Sequence, residues 1–275
     1  MPCSRSPHRD AAERTSAQPF FTAPKRTMLI GAWNVKTLYQ GSKAAQAAKV
    51  MREHKLGLLG ISECRWDGDG ETTLQTGETI LYSGRSDGSH QEGVALMLTS
   101  SAKRSLIFWR PLGSRLLMAR FKGRYVNMSV IVCYAPTNEA DDETKDLFYD
   151  QLQELKNKCP RHDILIILGD LNAKVGSDNM NYTGVMGPHG VGQMNENGER
   201  LVDICCTSRM VKGESCFPSN RREGDWERQE AYPSKMDDGK DLGSHRRKAL
   251  TTSKNLSHKI SEDKGSTQET VHRNE

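Results

Sequence analysis

The chain has 275 residues, long enough for one or two domains and a sizeable core. An apolar content of 35% and a mean hydropathy of −0.69 are low for a fully packed chain, so part of it is expected to lie outside the core. The formal net charge of +4 is compatible with nucleic acid without arguing for it. No apolar run approaches the roughly 18 residues of a membrane span, and no N-terminal apolar stretch marks a secretory signal.

Seven cysteines, without a CxxC pair and with Cys205 and Cys206 adjacent, read as reduced thiols of an intracellular protein, nuclear or cytoplasmic. Residues 1–26 are rich in Ser, Pro, Ala and Arg without periodicity, the composition of a disordered leader. Asp10 and Glu13 speak against a mitochondrial presequence. A domain is expected over residues 27–218. It opens with an apolar strand running from Met28 to Val35 that ends in Asn34. A turn near Gly41 precedes an amphipathic helix over 42–52, capped by Ser42, with Ala45, Ala48, Val50 and Met51 available for a buried face. Residues 56–61 form a second apolar strand, completing a βαβ-like unit that leads into Ser62 and Glu63.

Between residues 67 and 124, short alternating runs at 79–82, 93–98, 105–109 and 116–121 are separated by polar clusters, the pattern of antiparallel hairpins. Arg85, Arg104, Arg110, Arg115, Arg120 and Arg124 are scattered through them. They either line a phosphate-binding face or decorate ordinary solvated strands. A buried strand over 125–133 runs into Tyr134, and Pro136 ends its ladder. A helix is predicted over 142–157, with an acidic start, Phe148, Leu152 and Leu155 on one face, Lys156 and Lys158 at its end and Pro160 as a stop.

The stretch from Asp163 to Ala173 is the pivot of the chain. An apolar strand stops at Gly169 and then presents Asp170 and Asn172 two residues apart, on one side if the backbone stays extended. Strand ends of α/β sheets commonly carry the chemistry, although Asp-x-Asn is also a turn signal. A Gly/Asn-rich loop over 173–198, a turn at Asn197-Gly198, a short helix over 199–205 and one more strand from Val211 follow. Residues 219–275 hold twelve Lys/Arg against eleven Asp/Glu without sustained periodicity, the composition of a disordered polar tail.

Four strands thus end in polar groups: Asn34, Glu63, Tyr134, and Asp170 with Asn172. Two carboxylates with carboxamides suit Mg²⁺, which takes oxygen ligands and keeps several waters. Such an ion polarises a phosphodiester and stabilises charge on the leaving oxygen. A tyrosine hydroxyl nearby can donate to a phosphoryl oxygen.

The segments carrying these residues (Trp33-Asn34-Val35, Ile61-Ser62-Glu63, Cys133-Tyr134-Ala135-Pro136-Thr137 and Leu168-Gly169-Asp170-Leu171-Asn172-Ala173) resemble the endonuclease/exonuclease/phosphatase superfamily. That superfamily includes DNase I and the apurinic endonucleases. The stretches at 60–66, 132–137 and 197–203 are similar to the RTE/BovB-type endonucleases of non-LTR retrotransposons. The resemblance covers roughly residues 27–218 and implies a DNase I-like α/β fold, a two-sheet sandwich flanked by helices. It further implies Mg²⁺-dependent hydrolysis of DNA, with Mn²⁺ as a substitute, leaving a 3′-hydroxyl that can prime reverse transcription. Glu63 would be the principal metal ligand, with Asn34 contributing to the metal, water and phosphate region. Tyr134 would assist at the phosphate, Asp170 would orient or deprotonate the attacking water, and Asn172 would hold the phosphate. DNA is the implied partner; no protein partner and no membrane are indicated.

Two further motifs of that family, an Asp-His strand end and a terminal Ser-Asp-His, do not occur in this chain. Gly243-Ser244-His245 lacks the aspartate, so His245 is not expected to act in catalysis. After Pro218 the chain leaves the pattern as a truncated copy would, and the expected sandwich lacks its last strands. The expected consequence is reduced or lost activity, because removing one group that stabilises transition-state charge typically costs about 10²–10³ in rate. The alternative is a non-catalytic domain that at most binds nucleic acid.

Overall fold

The computed structural model describes residues 28–216 apart from 40, 179 and 183, together with 248–252. Its first sheet orders β1 (Leu29–Asn34), β2 (Leu56–Ser62), β5 (Val94–Leu98), β4 (Thr79–Ser83) and β3 (Asp69–Thr73). The second orders β10 (Met210–Lys212), β11 (Lys248–Thr252), β9 (Ile164–Asp170), β8 (Met128–Tyr134), β7 (Leu116–Phe121) and β6 (Leu106–Pro111). Both are mixed. β1 pairs parallel to β2, and β10, β11, β9 and β8 run parallel to one another, while the hairpin strands pair antiparallel.

The sheets pack face to face, which removes the inward side of every central strand from water. Ile30, Leu58, Leu96 and Leu98 of the first meet Leu117, Phe121, Val130, Val132 and Leu168 of the second. The approach is close: a Cβ on Gly60 would lie 3.0 Å from the Leu168 Cβ, so glycine lets β2 lie against β9. Helix α1 (Gly41–Glu53) covers the outer face of the first sheet with Ala44, Ala47, Ala48 and Met51. Helices α3 (Asp142–Lys158) and α4 (Glu196–Ser208) cover the second through Phe148, Leu152, Leu155, Leu201 and Val202. Central strands buried on both faces read as the near-continuous apolar runs that made them legible in sequence.

Several elements depart from the sequence expectation. The DGETT stretch of β3 carries no apolar alternation, because it is an edge strand largely open to water. Helix α2 (Ser100–Ser105) precedes β6, started by Thr99, whose hydroxyl accepts from the Ala102 N–H at 3.2 Å. Helix α4 begins at Glu196 rather than after an Asn197-Gly198 turn. Asn195 is its cap, accepting from the Gly198 N–H at 2.8 Å, and Gly198 is needed where a Cβ would fall 1.9 Å from the Lys174 carbonyl oxygen. From Gly213 the chain makes a 3₁₀ turn instead of extending the strand begun at Met210. Of residues 219–275, expected to be without structure, Lys248–Thr252 forms β11 between β10 and β9. The leader over 1–26, Pro218, His245 and the rest of the polar tail lie outside the described residues. No described helix is long and apolar enough to cross a membrane.

Candidate functional site

Strand register decides which polar groups meet. β1 and β2 run parallel with Asn34 opposite Ser62, and β8 and β9 run parallel with Tyr134 opposite Asp170. Both pairs therefore end at the same edge of the sandwich, and Ser62 stitches the two sheets there. Its buried hydroxyl donates to the Cys133 carbonyl oxygen at 3.4 Å and accepts from the Asp170 N–H at 3.0 Å.

On this edge the Asn34 amide donates to Glu63 Oε1 at 2.7 Å and to Asp170 Oδ2 at 3.0 Å, bridging two carboxylates from different sheets. Asn34 Oδ1 accepts from the Lys36 N–H at 3.1 Å, so its nitrogen is the end aimed between the carboxylates. Glu63 sits in the left-handed backbone region at φ 55°, just past β2, and its other oxygen accepts from Arg65 at 3.1 Å. The Tyr134 phenol is pushed up to about 12 by burial, with the Glu63 carboxylate adding to the shift, so it remains a proton carrier and donor at neutral pH. Arg115 stacks over the Tyr134 ring at 5.2 Å, donates to the Tyr134 carbonyl at 3.2 Å and holds Glu92 at 2.7 Å. Glu63, Arg65, Gln91, Glu92, Arg115 and Tyr134 line a cleft of about 380 Å³.

Asn172 does not continue an extended strand. Its φ of 47° turns the chain, Asp170 Oδ1 accepts its N–H at 3.0 Å, and its amide donates to the Ala135 carbonyl at 2.9 Å. The Asp-x-Asn pair is therefore a turn that closes the end of β9. Asn34, Glu63, Tyr134 and Asp170 converge, and Asn172 braces them by tying the ends of β8 and β9. Of the six arginines suggested as a phosphate face, Arg115 alone lines the cleft. Arg120 pairs with Asp163, Arg85 with Asp87 and Glu92, Arg110 stacks over Phe108, Arg124 stacks over Tyr125, and Arg104 lies in α2. Arg65, Glu92 and Ser62 were not singled out as site residues. Arg65 follows Glu63 by two positions and carries the one local signal that could have marked it.

This α/β sandwich, with polar strand ends gathered on one edge, is a nuclease/phosphatase-like domain. Residues 31–230 match the Endonuclease/Exonuclease/phosphatase family, and the chain belongs to it. It is 34% identical over 213 residues to craniofacial development protein 2 of Tragulus javanicus, a match covering 77% of this chain and 36% of that protein. It is 35% identical over 199 residues to craniofacial development protein 2 of Bos taurus, covering 72% and 33% respectively. The match thus spans about a third of the length of these curated relatives. Among solved structures it is similar to the endonuclease domain of TRAS1, a telomere-specific non-LTR retrotransposon. That alignment has a TM-score of 0.45 at 15% identity, over 66% of this chain and 72% of that one.

Proposed function

We propose that the chain is a retrotransposon-derived, Mg²⁺-dependent DNA endonuclease domain whose activity is reduced. The observation that carries this reading is the Asn34 amide held between Glu63 and Asp170, because it brings two carboxylates from separate sheets to one small volume. The donor set suits a hard cation. Among the described residues no group of three His, Cys, Asp or Glu side chains is assembled, which disfavours a closed Zn²⁺ site. Mg²⁺ is held by one or two carboxylates with water completing its shell. Glu63 would hold it, with Asp170 in the place expected for Asn34, whose amide nitrogen rather than Oδ1 is the end aimed between the carboxylates. The ion would supply charge neutralisation at the phosphodiester and its leaving oxygen.

The chain's own residues divide the remaining work. Asn34 fixes the two carboxylates relative to each other. Tyr134, protonated at neutral pH, donates to a phosphoryl oxygen. Arg115 on the cleft wall attracts the phosphate, and Asp170, whose Oδ2 accepts from the Asn34 amide and Oδ1 from the Asn172 N–H, orients the attacking water through a remaining lone pair. DNA as substrate is supported by the wording of the segments at 60–66, 132–137 and 197–203.

A second reading, a non-catalytic domain that at most binds nucleic acid, is favoured by one observation. Among the described residues no histidine lines this cleft, and the sequence carries no Ser-Asp-His string. Nicking of supercoiled plasmid in Mg²⁺, with a Glu63→Ala control shown to be folded, separates the two. Slow nicking that the substitution abolishes is expected. A folded protein that does not nick at all leaves the second reading.

A further inference from the structure

Beside the catalytic cleft lies a second one of about 330 Å³, lined by Tyr39, Trp66, Asp67, Thr72, Tyr82 and His90. Two loops separate them. The Cys64 and Arg65 N–H groups donate to the Gly93 and Glu92 carbonyls at 3.0 Å each, zipping the segment after β2 to the segment before β5. Neighbouring residues of this pair face different clefts: Arg65, Gln91 and Glu92 line the first, Trp66, Asp67 and His90 the second. Glu63 and Trp66 are three residues apart, so their backbones are separated by no more than about 11 Å.

The second cleft is built from rings. Trp66 meets Tyr82 edge-on at 4.9 Å and is anchored by its indole N–H on the Leu38 carbonyl at 3.0 Å. Tyr39 lies 4.6 Å from the His90 ring and is 65% exposed, a large aromatic surface left open to water. At the polar edge His90 Nδ1 lies 3.2 Å from Asp67 Oδ1 but is itself buried and makes no hydrogen bond there, which leaves the half-exposed Asp67 carboxylate as the charged group of the rim. Flat aromatic walls with a carboxylate and a hydroxyl at the rim match a nucleobase, which offers a π-face and exocyclic donors. The guanidinium groups of Arg65 and Arg115 on the adjoining cleft match the phosphate that such a base would trail.

We propose that this second cleft is a nucleobase subsite that stacks the base of an unpaired nucleotide next to the phosphate at Glu63. It rests on the nuclease reading above and deepens it. A base inside closed duplex is covered on both faces and cannot enter, so the substrate is DNA with a single-stranded or flipped-out nucleotide at the cut.

The test is fluorescence anisotropy in EDTA with one labelled oligonucleotide, single-stranded and as a blunt duplex. Single strands are expected to bind more tightly. Base stacking on an aromatic is worth about 1–3 kcal/mol, so Tyr39→Ala is expected to weaken single-strand binding about 5-fold or more, leave duplex binding unchanged, and be rescued by Tyr39→Phe. Single-strand binding that is absent, unchanged in Tyr39→Ala, or weakened equally with duplex overturns the subsite. Because no metal is present, failure of plasmid nicking leaves this readout untouched and is distinguishable from failure of the subsite.

Discussion

Two aspartates flank one strand and have opposite surroundings. Asp163, just before β9, is buried and closed: Arg120 grips it through Nε at 2.7 Å and through its second terminal nitrogen at 3.0 Å, and the buried Ser129 hydroxyl donates at 2.8 Å. Asp170, at the other end, receives only neutral donors, the Asn34 amide and the Asn172 N–H, and among the described residues no ion pair reaches it. A carboxylate saturated by a fork of guanidinium bonds is a structural clasp. One held by neutral donors beside a second carboxylate keeps its demand for a cation. The same strand thus carries a structural clasp at one end and the proposed cation site at the other.

Substitutions at either end of β9 should have different effects. The largest stability effect is expected at Gly169, whose φ of 127° and approach to Cys133 leave no space: an added Cβ would meet the Cys133 carbonyl oxygen at 1.9 Å. Gly169→Ala is expected to destabilise by about 4 kcal/mol or more, read by urea unfolding. A loss below about 1 kcal/mol would show that β8 and β9 are not locked at the site. At the clasp, Arg120→Ala leaves Asp163 buried without its cation and is expected to cost about 3 kcal/mol, the lower end for a broken buried pair because Arg120 is partly exposed. It should leave Mg²⁺ binding intact.

Tyr134 sets a pH window. Its folded pKa, pushed up to about 12, lies above the ordinary value of 10. Its contribution is therefore fully present below pH 10 and is lost as pH rises towards 12. Discounted for partial exposure this amounts to about 1 kcal/mol. Tyr134→Phe is expected to flatten that part of the stability profile, and an unchanged slope in the variant would contradict the assignment. The smallest stability effect is expected at Asp170. Asp170→Asn breaks no ion pair among the described residues and is expected to shift stability by less than about 1 kcal/mol, while removing Mg²⁺-dependent nicking.

Much of this architecture was legible because its central strands are buried on both faces. Residues 56–61, 128–133 and 164–168 are apolar runs of strand length, and the polar residues that end them stood out by contrast. β3 and β11 were not legible, the first because an exposed edge strand keeps no apolar side, the second because it sits within charged, aperiodic sequence. At the site, Asn34, Glu63, Tyr134 and Asp170 were readable one by one as strand ends. The bridge through the Asn34 amide was not, since it depends on the packing of two sheets across 136 residues of chain. Arg115 was hidden for a related reason: six arginines look equivalent in sequence, and only tertiary packing puts Arg115 on the cleft wall, where it too meets a carboxylate, Glu92, and a ring, Tyr134. The turn at Asn172 followed from its residue type, but its bond to Ala135 could not.

Glu63 and Asp170 are expected to form a cation site that the clasp at Asp163 does not. Calorimetric titration of Mg²⁺ into the protein, Glu63→Ala, Asp170→Asn and Arg120→Ala addresses it directly. One saturable site is expected in the unaltered chain and in Arg120→Ala at a temperature where that variant stays folded, and none in Glu63→Ala or Asp170→Asn. Saturable binding that survives in Glu63→Ala, or no binding by the folded unaltered chain, would contradict it.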